Sequence, residues 1–256
     1  MATRDEVLRE LGLVPQWRLR REAPAGAAAA VRVGAAGGEV LQVTAMQAVA
    51  MRAASEDPEA RRARIAALDA GELVADIADC TACALCRTRR NTVPGIGDPQ
   101  ARWLFVGEAP GADEDAQGEP FVGQAGRLLD NMLDALGLAR TREVYIANVL
   151  KCRPPNNRTP EPVEVEACLP YLNRQIELIA PTLIVALGKS AASALLRSDA
   201  PVASMRNRVH RYRGIPLIVT YHPAYLLRTP ADKAKAWEDL LFARRELREA
   251  LAVSGA

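Results

Sequence analysis

The chain has 256 residues, 49% of them apolar and 25% charged, with a formal net charge of +2. At about 150 residues per domain that length fits one large domain or two small ones, and the make-up excludes collagen-like, mucin-like and wholly disordered classes. Residues 1–79 hold 10 basic and 12 acidic side chains, leaving 23 and 19 to residues 80–256. Any contact with nucleic acid would therefore come from local patches, not an overall field.

Residues 4–13 read as a short amphipathic helix. Its charges, Arg4, Asp5, Glu6, Arg9 and Glu10, do not suit a secretory signal, so a cytoplasmic protein is expected. Residues 24–38 are an Ala- and Gly-rich linker. The weakly polar stretch 40–51 is interrupted by Gln42, Thr44 and Gln47 and falls short of the ~20 residues a membrane span needs. Residues 40–64 suggest loose helix interrupted at Pro58, and residues 65–77 a further helix. Residues 1–77 are thus read as an N-terminal extension, mostly helical or disordered, with no assigned chemistry, and 78–256 as the functional domain.

From there the pattern alternates. Residues 103–106, 144–147, 182–187 and 216–220 are short, mostly apolar and bounded by turn residues, which predicts buried strands. Helical spacing follows at 125–138, 162–180, 190–196 and 231–252. The expected fold is α/β: a three-layer α/β/α arrangement with a central four-stranded parallel sheet. Ligands of such sheets bind beyond the carboxyl ends of the strands. The residues found there are Gly107-Glu-Ala-Pro-Gly111, Asn148, Gly188-Lys-Ser190 and Tyr221-His-Pro223. A carboxylate, an amide, a helix start with a cation and an imidazole are expected on one rim.

Five cysteines, Cys80, Cys83, Cys86, Cys152 and Cys168, form an odd set without a secretion signal, which disfavours a disulfide framework. The Cys80-x2-Cys83-x2-Cys86 run starts like a ferredoxin motif, but Arg90 stands where its fourth cysteine would be. A zinc ribbon would want a second close pair, and Cys152 and Cys168 are far apart. Drawing Cys80 and Cys83 together with Cys152 and Cys168 would suit a 4Fe-4S cluster. Zinc and ordinary buried thiols stay open on this reading.

Four ordered motifs, Gly107-Glu-Ala-Pro-Gly-Ala-Asp-Glu-Asp115, Gly118-Glu-Pro-Phe-Val-Gly-Gln-Ala-Gly126, Asn148-Val-Leu-Lys-Cys-Arg-Pro-Pro155 and His222-Pro-Ala-Tyr-Leu-Leu-Arg228, resemble the family 4 uracil-DNA glycosylases of bacteria and archaea. The resemblance spans about residues 78–250. It implies a monofunctional, monomeric enzyme that flips uracil out of DNA and hydrolyses its glycosidic bond, with uracil-containing DNA as partner and no membrane. It also implies a 4Fe-4S cluster on Cys80, Cys83, Cys152 and Cys168, and gives Cys86 no ligand role.

Carried over residue by residue, the resemblance makes Glu108 and His222 catalytic, the first holding the attacking water and the second donating to the uracil O2. Gly107, Glu114, Phe121 and Asn148 would bind the base: Phe121 by stacking, Asn148 by reading its edge, Glu114 by walling the C5 side. Leu226 and Leu227 would wedge into the gap left by the base, and Lys189, Ser190 and Arg228 would reach phosphates. Arg206, Arg208, Arg211 and Arg213, with Arg87, Arg89 and Arg90, form two further basic loops, whereas His210 suits a structural role. Family 5 relatives lack an acid at the Glu108 position, and the covalent uracil-binding type carries a His-containing insertion absent after Lys151. A non-catalytic iron-sulfur DNA-binding or redox protein is the alternative from another class. It would leave Phe121, Asn148 and His222 unexplained.

Overall fold

The computed structural model describes residues 56–254. The helix expected at 4–13, the linker at 24–38 and most of the loose helix after residue 40 lie outside the described residues. The first described helix, α1 (Pro58–Ala67), is capped by the Asp57 carboxylate, which accepts from Glu59 N–H and Ala60 N–H at 3.0 Å each, with Pro58 at its first position. A continuous helix over 65–77 does not form. Leu68 is extended, and Asp69 restarts the chain with a capping box. It accepts from Glu72 N–H at 2.8 Å while Glu72 accepts from Asp69 N–H at 2.9 Å. That box opens α2 (Ala70–Asp79).

The sheet corrects the sequence-based expectation. It has six strands and is mixed, in the order β1-β3-β2-β4-β6-β5, not four strands all parallel. Its centre is the expected set: β3 (Val144–Asn148), β2 (Trp103–Gly107), β4 (Leu183–Leu187) and β6 (Ile215–Thr220), mutually parallel. The additions are antiparallel edges, β1 (Ile96–Gly97) on β3 and β5 (His210–Tyr212) on β6. Both are too short and too polar to show as apolar runs. The β5–β6 hairpin does carry a local signal, because Arg213 and Gly214 both have positive φ, 51° and 84°, as a two-residue type I′ turn requires.

Alternation along the parallel strands divides the core. Leu104, Val106, Ile184, Ala186, Leu217 and Val219 face one cluster, shared with α1, α2, α5 (Pro162–Ile179) and α6 (Lys189–Leu196). Trp103, Phe105, Val144, Ile146, Val185 and Ile218 face the other, closed by α4 (Gln124–Ala135) and α9 (Lys233–Ser254). The remaining helices are short: α3 (Ala112–Gln117), α7 (Val202–Met205) and α8 (Pro223–Arg228). The central strands are buried throughout because helices cover both faces. From β2 the chain crosses to β3 on one side and then returns to β4 on the other. The switch point where a ligand crevice forms is therefore at the carboxyl ends of β2 and β4. Among the described residues no helix is long and apolar enough to cross a membrane.

Residues 56–77 join this core: Ile65, Leu73 and Ile77 are each 2% exposed or less. Ile65→Ala should lower the unfolding free energy by about 2–5 kcal/mol in urea titrations. Val74→Ala, at a position 47% exposed, should stay within ~0.5 kcal/mol. Equal effects at both positions would show that α1 and α2 do not form part of the cooperative core.

Candidate active site

The site is built on the absence of a side chain. Gly107 closes β2 directly opposite Asn148, the last residue of β3. A Cβ at Gly107 would lie 2.3 Å from Asn148 Oδ1 and 2.7 Å from the Phe121 ring, so only glycine lets these groups meet. Backbone pairing continues past the strand ends, Val149 N–H donating to Gly107 O at 3.0 Å and Leu150 N–H to Glu108 O at 3.1 Å. Glu108 is thereby held, through its backbone, against the segment that follows Asn148. Its carboxylate is half-buried, with no hydrogen bond or ion pair among the described residues. Asn148 is 2% exposed, yet its Oδ1 has no partner there. Leaving a buried amide oxygen unpaired costs ~1–3 kcal/mol, the mark of an acceptor kept for a ligand.

Phe121 is buried and holds a left-handed backbone, φ 56°. Its ring stacks on the His222 imidazole, with centroids 5.5 Å apart and planes 28° from parallel. Glu114, in the first turn of α3, is taken up by the backbone around this ring. One of its oxygens accepts from Val122 N–H at 3.0 Å and Gly123 N–H at 3.2 Å, and the other from Gly111 N–H at 3.0 Å. These bonds tie the turn that presents Phe121 to the loop after β2.

His222 caps α8, and its Nδ1 accepts from Ala224 N–H at 3.1 Å. Burial, with the nearby Arg228 charge, pushes its pKa down to about 4 from an ordinary 6.5. The ring is thus neutral near pH 7, with its proton on Nε2. Gly188 lies against it: at φ 87°, a Cβ there would stand 2.9 Å from His222 Cβ. The segment before His222 is braced from below. Thr220 Oγ1 donates to Asp239 at 2.8 Å, and Arg206 pairs with the same carboxylate at 2.9 Å while lying over the Tyr221 ring at 5.4 Å.

Gly107, Phe121, Asn148 and His222 therefore converge. The expected DNA-contact residues divide. Leu227 is 43% exposed, but Leu226 is 1% exposed and part of the interior. Lys189 and Arg228 are exposed and Ser190 is half-buried. Of the basic loops, Arg206 is committed to Asp239, Arg213 to Glu177, and Arg89 to the carbonyls of Cys80 and Ala78. His210 Nε2 bonds Met205 O at 2.8 Å, the structural role expected for it. Sequence reasoning missed Lys151. This side chain is 1% exposed, and its Nζ donates to Asn148 O at 2.7 Å and Gln175 Oε1 at 2.6 Å. Burial pulls its pKa down to about 8. A charged residue inside the run Val149-Leu150-Lys151-Cys152 was its available signal.

The cysteines correct a second expectation. Cys80, Cys83, Cys152 and Cys168 do line one pocket, yet among the described residues no group of three or more His, Cys, Asp or Glu side chains is placed to hold a metal ion. The pocket encloses about 10 Å³, room for about one water, and does not fit the expected 4Fe-4S cluster. Its thiols meet protein donors: Arg89 reaches Cys152 Sγ at 3.3 Å, and Lys151 N–H reaches Cys168 Sγ at 3.2 Å. Burial pushes Cys152 up to about 11 and Cys168 up to about 12. A larger cavity, about 790 Å³ and lined in part by Arg61, Asp76, Val163 and Tyr171, contains none of the residues expected to bind base or DNA.

A family model described as the uracil DNA glycosylase superfamily matches residues 94–241. The chain is 47% identical over 167 residues to a type-4 uracil-DNA glycosylase of Archaeoglobus fulgidus, covering 62% of this chain and 83% of that one. It is 46% identical over 172 residues to one of Pyrobaculum aerophilum, covering 64% and 87%. With one of Saccharolobus solfataricus it shares 42% over 194 residues, covering 72% and 88%.

The His222 geometry is open to a direct test. Nitrogen-detected NMR should find the Nε2–H tautomer at pH 7 and a titration midpoint near 4. Because the folded pKa lies below the unfolded one, the unfolded chain binds more protons between about pH 4 and 6.5. His222 should therefore add stability as pH rises through that window and keep it above. A midpoint near 6.5, or an Nδ1–H tautomer, would contradict the arrangement.

Proposed function

The chain belongs to the uracil-DNA glycosylase superfamily and, within it, to the type-4 uracil-DNA glycosylases, and we propose that it excises uracil from DNA with the residues gathered at Gly107. The observation that carries this reading is the unpaired, buried Oδ1 of Asn148 beside an aromatic ring and a neutral imidazole. A uracil turned out of the duplex would lie on Phe121 and offer its N3–H to Asn148 Oδ1 and its O4 to Nδ2. Cytosine presents a bare N3 and an amino group at the same positions. It would leave the buried amide opposed at both ends, and rejection follows from the unpaired groups.

Cleavage of the glycosidic bond moves negative charge onto the uracil O2 and positive charge onto the sugar. His222 donates from Nε2 to that oxygen without carrying a charge of its own, and its bond strengthens only as the charge develops. Glu108, whose carboxylate has no hydrogen bond or ion pair among the described residues, holds the attacking water and faces the cationic sugar. Leu227, not the buried Leu226, fills the gap left by the base, while Lys189, Ser190 and Arg228 meet phosphates. Glu114 acts through the turn it ties rather than against C5 of the base. The enzyme is monofunctional, since among the described residues the rim motifs offer no amine but Lys189, assigned to phosphate, for attack on the sugar; Lys151 is held beneath Asn148. A single copy, working in the cytoplasm, provides every proposed contact.

The test is excision from oligonucleotides carrying U:G, U:A, T:G or single-stranded U, followed by alkali. Uracil strands should be cut only after alkali, and T:G should stay intact. Asn148→Asp should lower single-turnover excision by ~10² or more. His222→Ala should slow the chemical step by ~10²–10³ with DNA affinity almost unchanged. Near-normal excision by both variants would remove these roles, and strand cutting without alkali would contradict the monofunctional assignment.

A further inference from the structure

Phe121 is an aromatic residue in a conformation that side chains with a Cβ avoid, so something outside its own backbone must hold it there. Three restraints converge on it. Gly126, in the first turn of α4, allows the Phe121 carbonyl to lie where a Cβ would be 1.7 Å from its oxygen. Glu114 accepts from the next two backbone N–H groups, of Val122 and Gly123. The third is Arg140, in the connection from α4 to β3. Its guanidinium donates to Pro120 O at 2.8 Å and to Phe121 O, and is itself aimed by Asp130 on α4.

We infer that Arg140 is a positioning residue for base recognition: by gripping the carbonyls of Pro120 and Phe121 it keeps the Phe121 ring over Gly107 and against His222. The inference rests on the reading of Phe121 as the platform for the flipped base. The planar fork matters, because two adjacent carbonyls are held at once and each fixes one peptide plane. With φ returned to a negative value, the 121–122 peptide would rotate, the carbonyl would leave Arg140, and the ring would swing away from Asn148. Arg140 is half-buried and its guanidinium is committed to Asp130 and to the two carbonyls, so its removal acts through Phe121 and not through DNA attraction.

The experiment is a double-mutant cycle on single-turnover uracil excision, with Arg140→Met and Arg140→Lys each made in the wild-type and Phe121→Ala backgrounds. DNA affinity is followed by anisotropy and folding by thermal denaturation. Arg140→Met should slow excision by ~10-fold, the order that releasing one strained residue allows. Arg140→Lys, able to hold one carbonyl, should recover part of that loss. In the Phe121→Ala background both effects should shrink to less than ~2-fold, with DNA affinity in each background unchanged by the Arg140 substitutions. Equal slowing in both backgrounds, or no slowing by a folded Arg140→Met, would overturn the inference. Should Arg140→Met fail to fold, the same comparison with Arg140→Lys decides it. A Phe121→Ala enzyme with full activity would instead remove the platform reading itself, so the two failures are distinguishable.

Discussion

The approach of two side chains to one bare Cα underlies the rest of the site. With Gly107 at the end of β2, the Asn148 amide, the Phe121 ring and, stacked on that ring, the His222 imidazole occupy adjoining space. A methyl group at that point would overlap the first two. The parallel register of β2 and β3 places Gly107 opposite Asn148, so the encounter is written into the sheet. Loops then supply the other two groups, each held by partners that lie outside the reacting space.

Those partners share one physical logic. An unpaired amide oxygen and a left-handed phenylalanine are each unfavourable alone and persist only where surrounding structure over-determines them. Lys151, itself held by Gln175, grips the backbone behind Asn148. Asp239 and Arg206 brace the end of β6 before His222. Glu114 and Arg140 secure the turn at Phe121. Several of these groups are charged and buried, which is tolerable because each is paired or hydrogen-bonded. The result is a preorganised site in which buried polar groups interact more strongly than they would in water.

The same burial explains why cysteine spacing misled. Four thiols from distant segments do line one pocket, but it encloses only about 10 Å³. Arg89 and Lys151 N–H donors take up two of the sulfurs. Spacing in sequence reports which thiols can be neighbours; it does not report the volume left between them or the donors that enter it.

Sequence alone determined the four central strands, their parallel order of use, the convergence of Glu108, Asn148, Gly188 and His222 at one rim, and the family, because apolar runs and motif order are local properties of the chain. Tertiary structure decided what depends on neighbours distant in sequence. The edge strands β1 and β5 exist by pairing with strands already in place, not by their own apolar content. The division of Leu226 from Leu227 is set by which face of α8 meets the interior. Lys151 and Arg140 carry no motif of their own; they matter because folding brings one beneath the Asn148 carbonyl and the other onto the carbonyl of Phe121, and a hydrogen bond across such a separation is fixed only when the chain closes.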